Sequence, residues 1–372
     1  MNPVKVLYYY SSAQVDTGSP RAMLRMIDSL NRDEFRPAFM ASGAGSLIDE
    51  LRSRNVEIIE GRVESVSWRH PLRFIRSVRA KRALLKRYGV DLVHMNEPGW
   101  NSDLVLAARL SGIPVVLHLH NPVTVSNRNL NYVAASRIFV CSAAQAREIG
   151  NFDRVKDRCV VLYNAVDIGL FAGGRPIRES IGLSKDDRVI GTIAQIKHGK
   201  GIDLFLDTAE RLLTGGNKVK LVIVGPKGVA EDDYFRACID RIERSPLQGN
   251  VIYLGSRVDV PDLLASFDIF FLPTRAETFG MVVIEAMAAG VPVVVSHVGG
   301  IPEIVTGADV GRTVRDLDPD AYATAIEELL QMGDALKALG ERGRESLAGR
   351  FDIAHVGATL GAVYKQLAMQ RQ

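Results

Sequence analysis

Several features that would mark a function class are scarce or missing in this sequence. Only three cysteines occur among its 372 residues, Cys141, Cys159 and Cys238. They are far apart, with no C-x-x-C pair and no histidine at ligand spacing, which argues against a disulfide framework or a zinc site. No apolar run approaches the roughly 18 to 20 residues that span a bilayer. The opening stretch MNPVKVLYYYSS does not resemble a signal peptide. We therefore expect a cytoplasmic protein.

The chain also lacks the fingerprint of a dinucleotide-binding oxidoreductase. No strand candidate is followed by G-x-G-x-x-G with an acid about 20 residues further on. The composition, 47% hydrophobic and 24% charged, is that of a globular protein without low-complexity segments. A chain of this length favours two domains.

Acidic residues are absent from one segment, residues 68–88, although the net charge of the whole chain is only +3. Its eight basic residues are Arg69, Arg73, Arg76, Arg79, Lys81, Arg82, Lys86 and Arg87. Such a helix could lie on an anionic membrane or hold a phosphorylated acceptor. It could equally be the solvated face of a domain helix whose core stripe is Leu72, Ile75, Val78 and Leu85. Nothing in the composition indicates a nucleic-acid partner.

Short, nearly unbroken apolar runs alternate with helical stretches along the whole chain. The strand candidates are residues 5–10, 91–95, 114–120 and 137–142 in the first half, and 188–194, 219–225, 250–255, 269–273 and 291–296 in the second. Such strands between helices are typical of parallel sheets that are covered on both faces. We predict an α/β protein with two doubly wound, Rossmann-like domains that face each other across a cleft.

Domain boundaries are predicted from the break in periodicity at Gly173, Gly174 and Pro176. We expect an acceptor-binding domain over residues 1–172 and a donor-binding domain over 173–351. The last segment, 352–372, is expected to be a helix that packs back towards the first domain.

The stretch PTRAETFGMVVIEAMAAG contains two glutamates, Glu277 and Glu285, in a strongly apolar setting. A buried carboxylate is unfavourable unless it is paired or hydrogen-bonded, which indicates a ligand. On one continuous helix the two would be about 12 Å apart along the axis. That is longer than the roughly 5 to 9.5 Å between the carboxyl groups of glycosidases. The spacing suits hydroxyl groups at the two ends of one nucleotide sugar, with its diphosphate at the helix start near Phe279, Gly280 and Met281.

This stretch resembles the E-x7-E motif of the family 4 retaining glycosyltransferases, which have the GT-B fold. The similarity extends to Gly299, Gly300, Pro302 and Glu303 in the next loop, and to YNAVD at 163–167. The resemblance implies that Glu277 contacts the donor sugar and Glu285 the ribose. It also implies that the amides of Gly280 and Met281 bind the sugar and phosphate region, and that no metal or other cofactor is required.

Other donor-site residues follow from the same resemblance. Lys200 is suited to neutralise the leaving diphosphate, and Gln195 stands where the family usually has arginine. The main chain near Arg257 and Val258 is expected to hold the base. In the first domain, Gly18 and Ser19 are expected at a helix start facing the donor, where a plain helix cap is the alternative.

His120 occupies the place of a family histidine close to the donor sugar and the attacking hydroxyl. In the proposed front-face mechanism it orients the reactants and is not a nucleophile. His94 and His118 are expected to be satisfied core histidines.

Taken together, the sequence predicts transfer of a hexose-type sugar from a nucleoside-diphosphate sugar to a sugar or lipid-linked acceptor. We expect this in the synthesis of cell-surface polysaccharide, lipopolysaccharide or glycolipid. The protein would be cytoplasmic and peripheral on the inner face of the cell membrane. Two alternatives stay open, a sugar-nucleotide epimerase of similar fold and a non-catalytic sugar-nucleotide-binding protein.

Overall fold

The computed structural model describes residues 2–15, 18–61, 66–97, 101–121, 130–150, 155–307 and 309–370. They form two compact units, Met1–Ala165 with Ile353–Gln372, and Val166–Asp352. Residues 166–172 therefore belong to the second unit, whereas the sequence placed them in the first. The Val166 amide donates to the Phe351 carbonyl at 2.8 Å, and the helix at Ile168–Ala172 packs on two helices of the second unit.

The first unit is built on a seven-stranded parallel sheet. Its strands are β1 (Val4–Tyr9), β2 (Phe35–Ala41), β3 (Glu57–Glu60), β4 (Leu92–Met95), β5 (Val115–Leu119), β6 (Arg137–Val140) and β7 (Cys159–Val161). The order β3-β2-β1-β4-β5-β6-β7 is that of a doubly wound sheet. Its helices are α1 (Gly18–Ser29), α2 (Ser46–Ser53), α3 (Pro71–Arg87), α4 (Ser102–Arg109), α5 (Leu130–Ala134), α6 (Ala143–Gly150) and the C-terminal α15 (Ile353–Met369).

Successive side chains of β1 point to opposite faces of this sheet, and each face has its own core. Tyr8 lies in the core that α1 and α15 cover. Tyr9 lies in the core beneath α3 and α4. The C-terminal helix thus packs on the first unit through Leu360 and Tyr364, both fully buried.

The second unit contains a six-stranded parallel sheet in the order β10-β9-β8-β11-β12-β13. Its strands are β8 (Arg188–Ile193), β9 (Val219–Val224), β10 (Val251–Tyr253), β11 (Ile269–Leu272), β12 (Val293–Ser296) and β13 (Arg312–Val314). Its helices are α7 (Ile168–Ala172), α8 (Ile202–Thr214), α9 (Asp232–Ile242), α10 (Val260–Ala265), α11 (Met281–Ala288), α12 (Ile301–Ile304), α13 (Pro319–Leu330) and α14 (Ala335–Glu345).

These two sheets confirm the prediction of two doubly wound, parallel α/β domains. All nine strands expected from the sequence are present, and four further strands, β2, β3, β7 and β13, were not expected. Among the described residues, no helix is both long and apolar enough to cross a membrane.

Candidate active site

Glu277 and Glu285 do not share a helix, contrary to the arrangement that the 12 Å estimate assumed. Helix α11 begins at Met281, and Glu277 lies in the loop between β11 and α11. The helix starts after Gly280, whose φ of +111° is in the left-handed region that favours glycine. A glycine here therefore ends the loop and turns the chain into the helix.

The start of α11 offers free backbone amides. Val283 and Ile284 donate their amides to the Gly280 carbonyl at 3.0 and 3.3 Å. The amides of Met281 and Val282 precede them in the first turn, where no intrahelical acceptor exists. These donors and the positive end of the helix dipole favour an anion at this point.

Glu285 lies one turn into α11 and is half-buried. Residues at i and i+4 share a helix face, so Glu285 is on the face of Met281. Helical side chains also lean towards the N-terminus, which brings its carboxylate towards the first turn. Phe279 differs, because its ring is buried and packs edge-on against Phe351 with centroids 5.6 Å apart. Its side chain is therefore part of the core and does not face a ligand.

Lys200 and Glu277 form an ion pair through Nζ and Oε2. Lys200 ends a single 3-10 turn, His198–Lys200, directly before α8. The two side chains are 21% and 16% exposed, so the pair is reachable from solvent but partly desolvated. Two of the three residues predicted to be catalytic therefore touch each other in the second unit.

A hydrogen-bonded clamp holds the loops that carry these two residues. The Thr274 hydroxyl and the Arg275 amide both donate to the Gly199 carbonyl at 2.9 Å. The Arg275 guanidinium forms a two-point ion pair with Asp203 at 2.7 and 2.6 Å. Burial opposes ionisation of Asp203, but hydrogen bonds from Arg275 and Tyr234 lower its pKa to about 2. Sequence reasoning missed this clamp, although polar residues directly after a buried strand were a usable signal.

Two glycines allow the same loops to approach each other at backbone distance. Gly201 has a φ of +68°, and a Cβ there would overlap the Pro273 carbonyl oxygen. Gly299, with a φ of +53°, is pressed in the same way against the Glu277 carbonyl. Gly299 belongs to the G-G-x-P-E loop, so this part of the motif packs against the backbone of the loop that carries Glu277.

The other residues that the sequence predicted to bind the donor lie in loops that follow strands of the second sheet. Gln195 is half-exposed in the loop after β8, and the backbone of this loop bonds to the loop after β9 through Ile196 and Pro226, at 2.9 Å. Arg257 is paired with Asp259 at 2.9 Å, so its guanidinium is already engaged. Val258 is 90% exposed.

In the first unit, His120 and Ser19 are joined by a residue that sequence reasoning missed, Asn96. The Asn96 amide nitrogen donates to the Ser19 carbonyl and hydroxyl oxygens, both at 3.3 Å. Its Oδ1 therefore faces His120 Nε2, 2.8 Å away, and accepts the proton carried there. Asn96 directly follows β4, and Gly18 and Ser19 open α1. This arrangement fixes the tautomer of His120 and leaves its Nδ1 unprotonated.

A row of three imidazoles continues from His120 into the core. His118 stacks on His120 with centroids 4.0 Å apart, and His94 lies 5.4 Å from His118. His94 is hydrogen-bonded to the Tyr364 hydroxyl. Burial lowers the pKa of His94 and of His120 to about 3, and the pKa of His118 well below its usual value. All three are neutral at pH 7.

The expectation that His94 and His118 are satisfied core histidines is partly wrong. Both are completely buried. Within the described part of the chain, however, neither nitrogen of His118 and only Nδ1 of His94 has a hydrogen-bond partner. Among the described residues no three histidine, cysteine or acidic side chains are grouped as a metal site requires.

Comparison with known proteins assigns the family. Residues 17–170 match the model of Glycosyltransferase Family 4, and residues 175–346 that of Glycosyl transferases group 1. D-inositol 3-phosphate glycosyltransferase 2 of Catenulispora acidiphila is 31% identical over 309 residues, 74% of this chain and 70% of that protein. The chain belongs to glycosyltransferase family 4.

Other relatives are similar over shorter stretches. The lipopolysaccharide core biosynthesis mannosyltransferase LpsB of Rhizobium meliloti is 28% identical over 192 residues, 51% of this chain and 55% of the relative. The match thus spans only about half the length of that mannosyltransferase.

Solved structures agree on the fold over nearly the whole chain. HepE of Anabaena, crystallised with UDP and glucose, superposes with a TM-score of 0.81 at 21% identity, covering 97% of this chain and 99% of HepE. A glycosyltransferase of Rickettsia africae gives a TM-score of 0.86 at 18% identity, covering 99% of each chain. This likeness confirms the predicted GT-B class for this family 4 protein.

Proposed function

We propose that this glycosyltransferase moves a hexose from a nucleoside-diphosphate sugar to an acceptor hydroxyl with retention of configuration and without a metal ion. The observation that carries the proposal is the Lys200–Glu277 pair beside the start of α11, with Glu285 one turn further on. HepE, the Anabaena protein of similar fold, binds UDP and UDP-glucose, which supports a nucleotide sugar as the donor.

The diphosphate would lie between Lys200 and the first amides of α11. Both supply positive potential, and both interact more strongly as negative charge develops on the leaving phosphate oxygen. Gln195 can add a hydrogen bond but no charge. Stabilisation of the leaving group therefore depends mainly on Lys200 and the helix start.

The two glutamates would bind opposite ends of the donor. Carboxylates accept hydrogen bonds from vicinal hydroxyl groups, which suits Glu277 to the sugar and Glu285 to the ribose. The base would rest on the main chain at residues 257 and 258. Because the Arg257 side chain pairs with Asp259, we assign it no direct contact with the base.

In the proposed reaction the bond from the anomeric carbon to the phosphate oxygen breaks, and the acceptor oxygen bonds to the same face of that carbon. The acceptor proton passes to the departing phosphate oxygen. His120, neutral and held by Asn96, would orient the sugar and the acceptor, and Ser19 would extend this polar surface.

The acceptor is proposed to be a sugar or a lipid-linked sugar in cell-surface polysaccharide, lipopolysaccharide or glycolipid synthesis. LpsB, a relative, is named for lipopolysaccharide core biosynthesis. We further propose that the protein is cytoplasmic and peripheral on the inner face of the cell membrane.

A thermal-shift screen with UDP-, GDP- and ADP-sugars identifies the donor, because a ligand that binds the folded state stabilises it by mass action. Transfer of isotope from that donor to acceptor, in the presence of EDTA, then tests the reaction, and NMR of the product reports its anomeric configuration. Inversion, or loss of transfer in EDTA, would contradict the proposal. Donor conversion without an acceptor would indicate an epimerase, and binding without any transfer would indicate a sensor.

A further inference from the structure

Helix α3 presents large apolar side chains to solvent. Leu72 is 72% exposed and Ile75 is 47% exposed, and Trp68, four residues before Leu72, is 74% exposed. One of the two interpretations of the sequence placed Leu72 and Ile75 in the core stripe of this helix, and that placement is wrong, whereas Val78 and Leu85 are buried as it expected. Trp68 lies in the turn before α3, and Leu72 and Ile75 lie in the first part of the helix. Side chains of this size and exposure, so close together in the chain, indicate a surface that meets an apolar partner.

The inner face of α3 explains why these residues point outwards. Val78 and Leu85 are buried against the sheet, and Lys81 lies between them, only 4% exposed. The Lys81 ammonium donates to Asn101 at 2.9 Å and to Asp103 at 2.8 Å. Because Lys81 faces inwards with Val78 and Leu85, the helical period places Leu72 on the far side of the helix. Ile75, three residues before Val78, lies on the flank, which agrees with its lower exposure of 47%. The helix is therefore firmly anchored without them.

Four arginines surround the exposed apolar side chains. They are Arg69, Arg73, Arg76 and Arg79, all exposed. Within the described ranges, no acidic side chain forms a salt bridge with any of them, in contrast to Lys81. Further along the helix, Arg82 donates to the Leu110 carbonyl at 3.1 Å, and the Arg87 guanidinium lies over the Tyr88 ring. The unpaired positive charge is thus concentrated next to Trp68, Leu72 and Ile75.

We propose that these seven residues, here called the Trp68 surface, insert into an anionic phospholipid bilayer. Trp68, Leu72 and Ile75 enter the boundary between head groups and acyl chains, where a tryptophan ring is favoured. The four arginines bind lipid phosphates, each attraction being about 1 kcal/mol near such a membrane. This inference refines the membrane part of the proposed function, since it reduces the segment 68–88 to its first half and removes Lys81 from the binding surface.

The combination of side chains favours a bilayer over other anionic partners. A soluble phosphorylated acceptor would use the arginines and leave Leu72 and Ile75 in water. A nucleic acid would likewise gain little from two exposed aliphatic side chains. A bilayer uses both the charge and the apolar area of the Trp68 surface.

Vesicle binding by the full chain tests the proposal without any donor or acceptor, so its outcome is independent of the proposed reaction. The chain contains two tryptophans, Trp68 and Trp100, and Trp100→Phe leaves Trp68 as the only indole reporter. With vesicles of phosphatidylcholine and phosphatidylglycerol, we expect a blue shift of Trp68 emission and quenching by brominated acyl chains. Phosphatidylcholine alone should give weak binding.

Two double variants separate the apolar and the charged contributions. Leu72→Ser with Ile75→Ser should weaken partitioning at least about tenfold, since it removes most of the inserted area. Arg73→Gln with Arg76→Gln should weaken it about 25-fold, or about fivefold for each charge. Matched controls elsewhere are Leu317→Ser with Met369→Ser and Lys185→Gln with Arg236→Gln, all at exposed positions. The controls should bind like the parent.

Three results would overturn the proposal. One is the absence of binding to anionic vesicles. Another is binding that persists in the Leu72 and Ile75 variant, because the contact would then be purely ionic and typical of a phosphate ligand or nucleic acid. The third is binding without quenching of Trp68, which would place another surface on the membrane. Melting temperatures equal to that of the parent establish that the variants are folded.

Discussion

Glu277→Gln offers a sharp test of the donor site, because Glu277 and a bound diphosphate would compete for the same ammonium group. In the ligand-free protein the Glu277 carboxylate neutralises Lys200. A diphosphate that binds Lys200 must displace this carboxylate or accept a second negative charge beside it. Glutamine keeps the size of the side chain and removes the charge.

The size of the effect follows from the burial of the pair. Exposed ion pairs contribute about 0 to 1 kcal/mol, but these side chains are only 21% and 16% exposed. After discounting for solvent screening, we therefore expect the Glu277 carboxylate to oppose binding of the diphosphate to Lys200 by about 1 to 2 kcal/mol. That range corresponds to about 5- to 30-fold tighter binding of the free nucleoside diphosphate by Glu277→Gln. Turnover should fall in the same variant, because the contact to the sugar is lost.

Isothermal titration calorimetry with UDP, GDP and ADP measures the first effect, and transfer kinetics measure the second. Glu328→Gln is the matched control, since Glu328 pairs with Arg312 at the surface of the same unit, at 3.5 Å. The gain in affinity should shrink as ionic strength rises. Unchanged or weaker nucleoside diphosphate binding by Glu277→Gln would refute the idea that Lys200 holds the diphosphate.

Three further predictions concern the same two units. Lys200→Ala should lower kcat by about 10²- to 10³-fold with a smaller change in donor KM, since its charge acts mainly on the leaving group; equal kcat in the variant and the parent would contradict this. Glu285→Gln should weaken donor binding about tenfold, measured by calorimetry, because a charged acceptor of ribose hydrogen bonds becomes neutral; wild-type affinity would remove Glu285 from the site. The free energy of unfolding should fall in acid, because the pKa values of His94 and His120 are about 3 in the folded protein and near 6.5 in the unfolded chain. The stability that depends on these two neutral histidines is complete above pH 6.5 and is lost as the pH falls towards 3. Each histidine should cost roughly 2 kcal/mol of unfolding free energy at pH 5, measured by urea unfolding. His118→Phe should reduce the pH dependence, because it removes one of the three buried imidazoles; exposed His70→Gln is the control, and a flat profile in the parent would contradict the burial of neutral histidines.

The strands that the sequence predicted are those whose apolar character is nearly unbroken. Both faces of the central strands are covered, so runs such as VKLVIV in β9 are recognised as strands without knowledge of the strands that pair with them. The missed strands β3, β7 and β13 are sheet edges of only three or four residues. The missed β2 is central, but it contains Pro37, and a proline normally argues against such a strand.

The candidate site divides in a similar way. Lys200, Glu277 and Glu285 were predicted because local spacing carries the motif. Asn96, Asp203 and Arg275 were missed because they act through partners far away in the sequence. The Arg275–Asp203 pair, for example, joins residues that only the pairing of β8 with β11 brings together.

Helix α3 shows a different failure, because one of the two interpretations of its sequence placed the exposed Leu72 and Ile75 in the core. The sequence gives Lys81 no reason to turn inwards, because Asn101 and Asp103, its partners, come from another element. Once a lysine is assumed to face solvent, Leu72 and Ile75 are assigned to the core. The error therefore arises from a contact between distant parts of the chain, which the periodicity of the sequence does not reveal.

The course of the chain through the two units bears on how new specificities could arise. The unit with the Lys200–Glu277 pair is one uninterrupted segment, Val166–Asp352. The other unit is formed from both ends of the chain, because its sheet precedes this segment and its final helix follows it. Two crossover points, at 165/166 and 352/353, would suffice to graft that segment from one relative into another. Under the proposed function, one such exchange could change the donor specificity, while the recipient protein keeps its acceptor specificity and its membrane-binding surface.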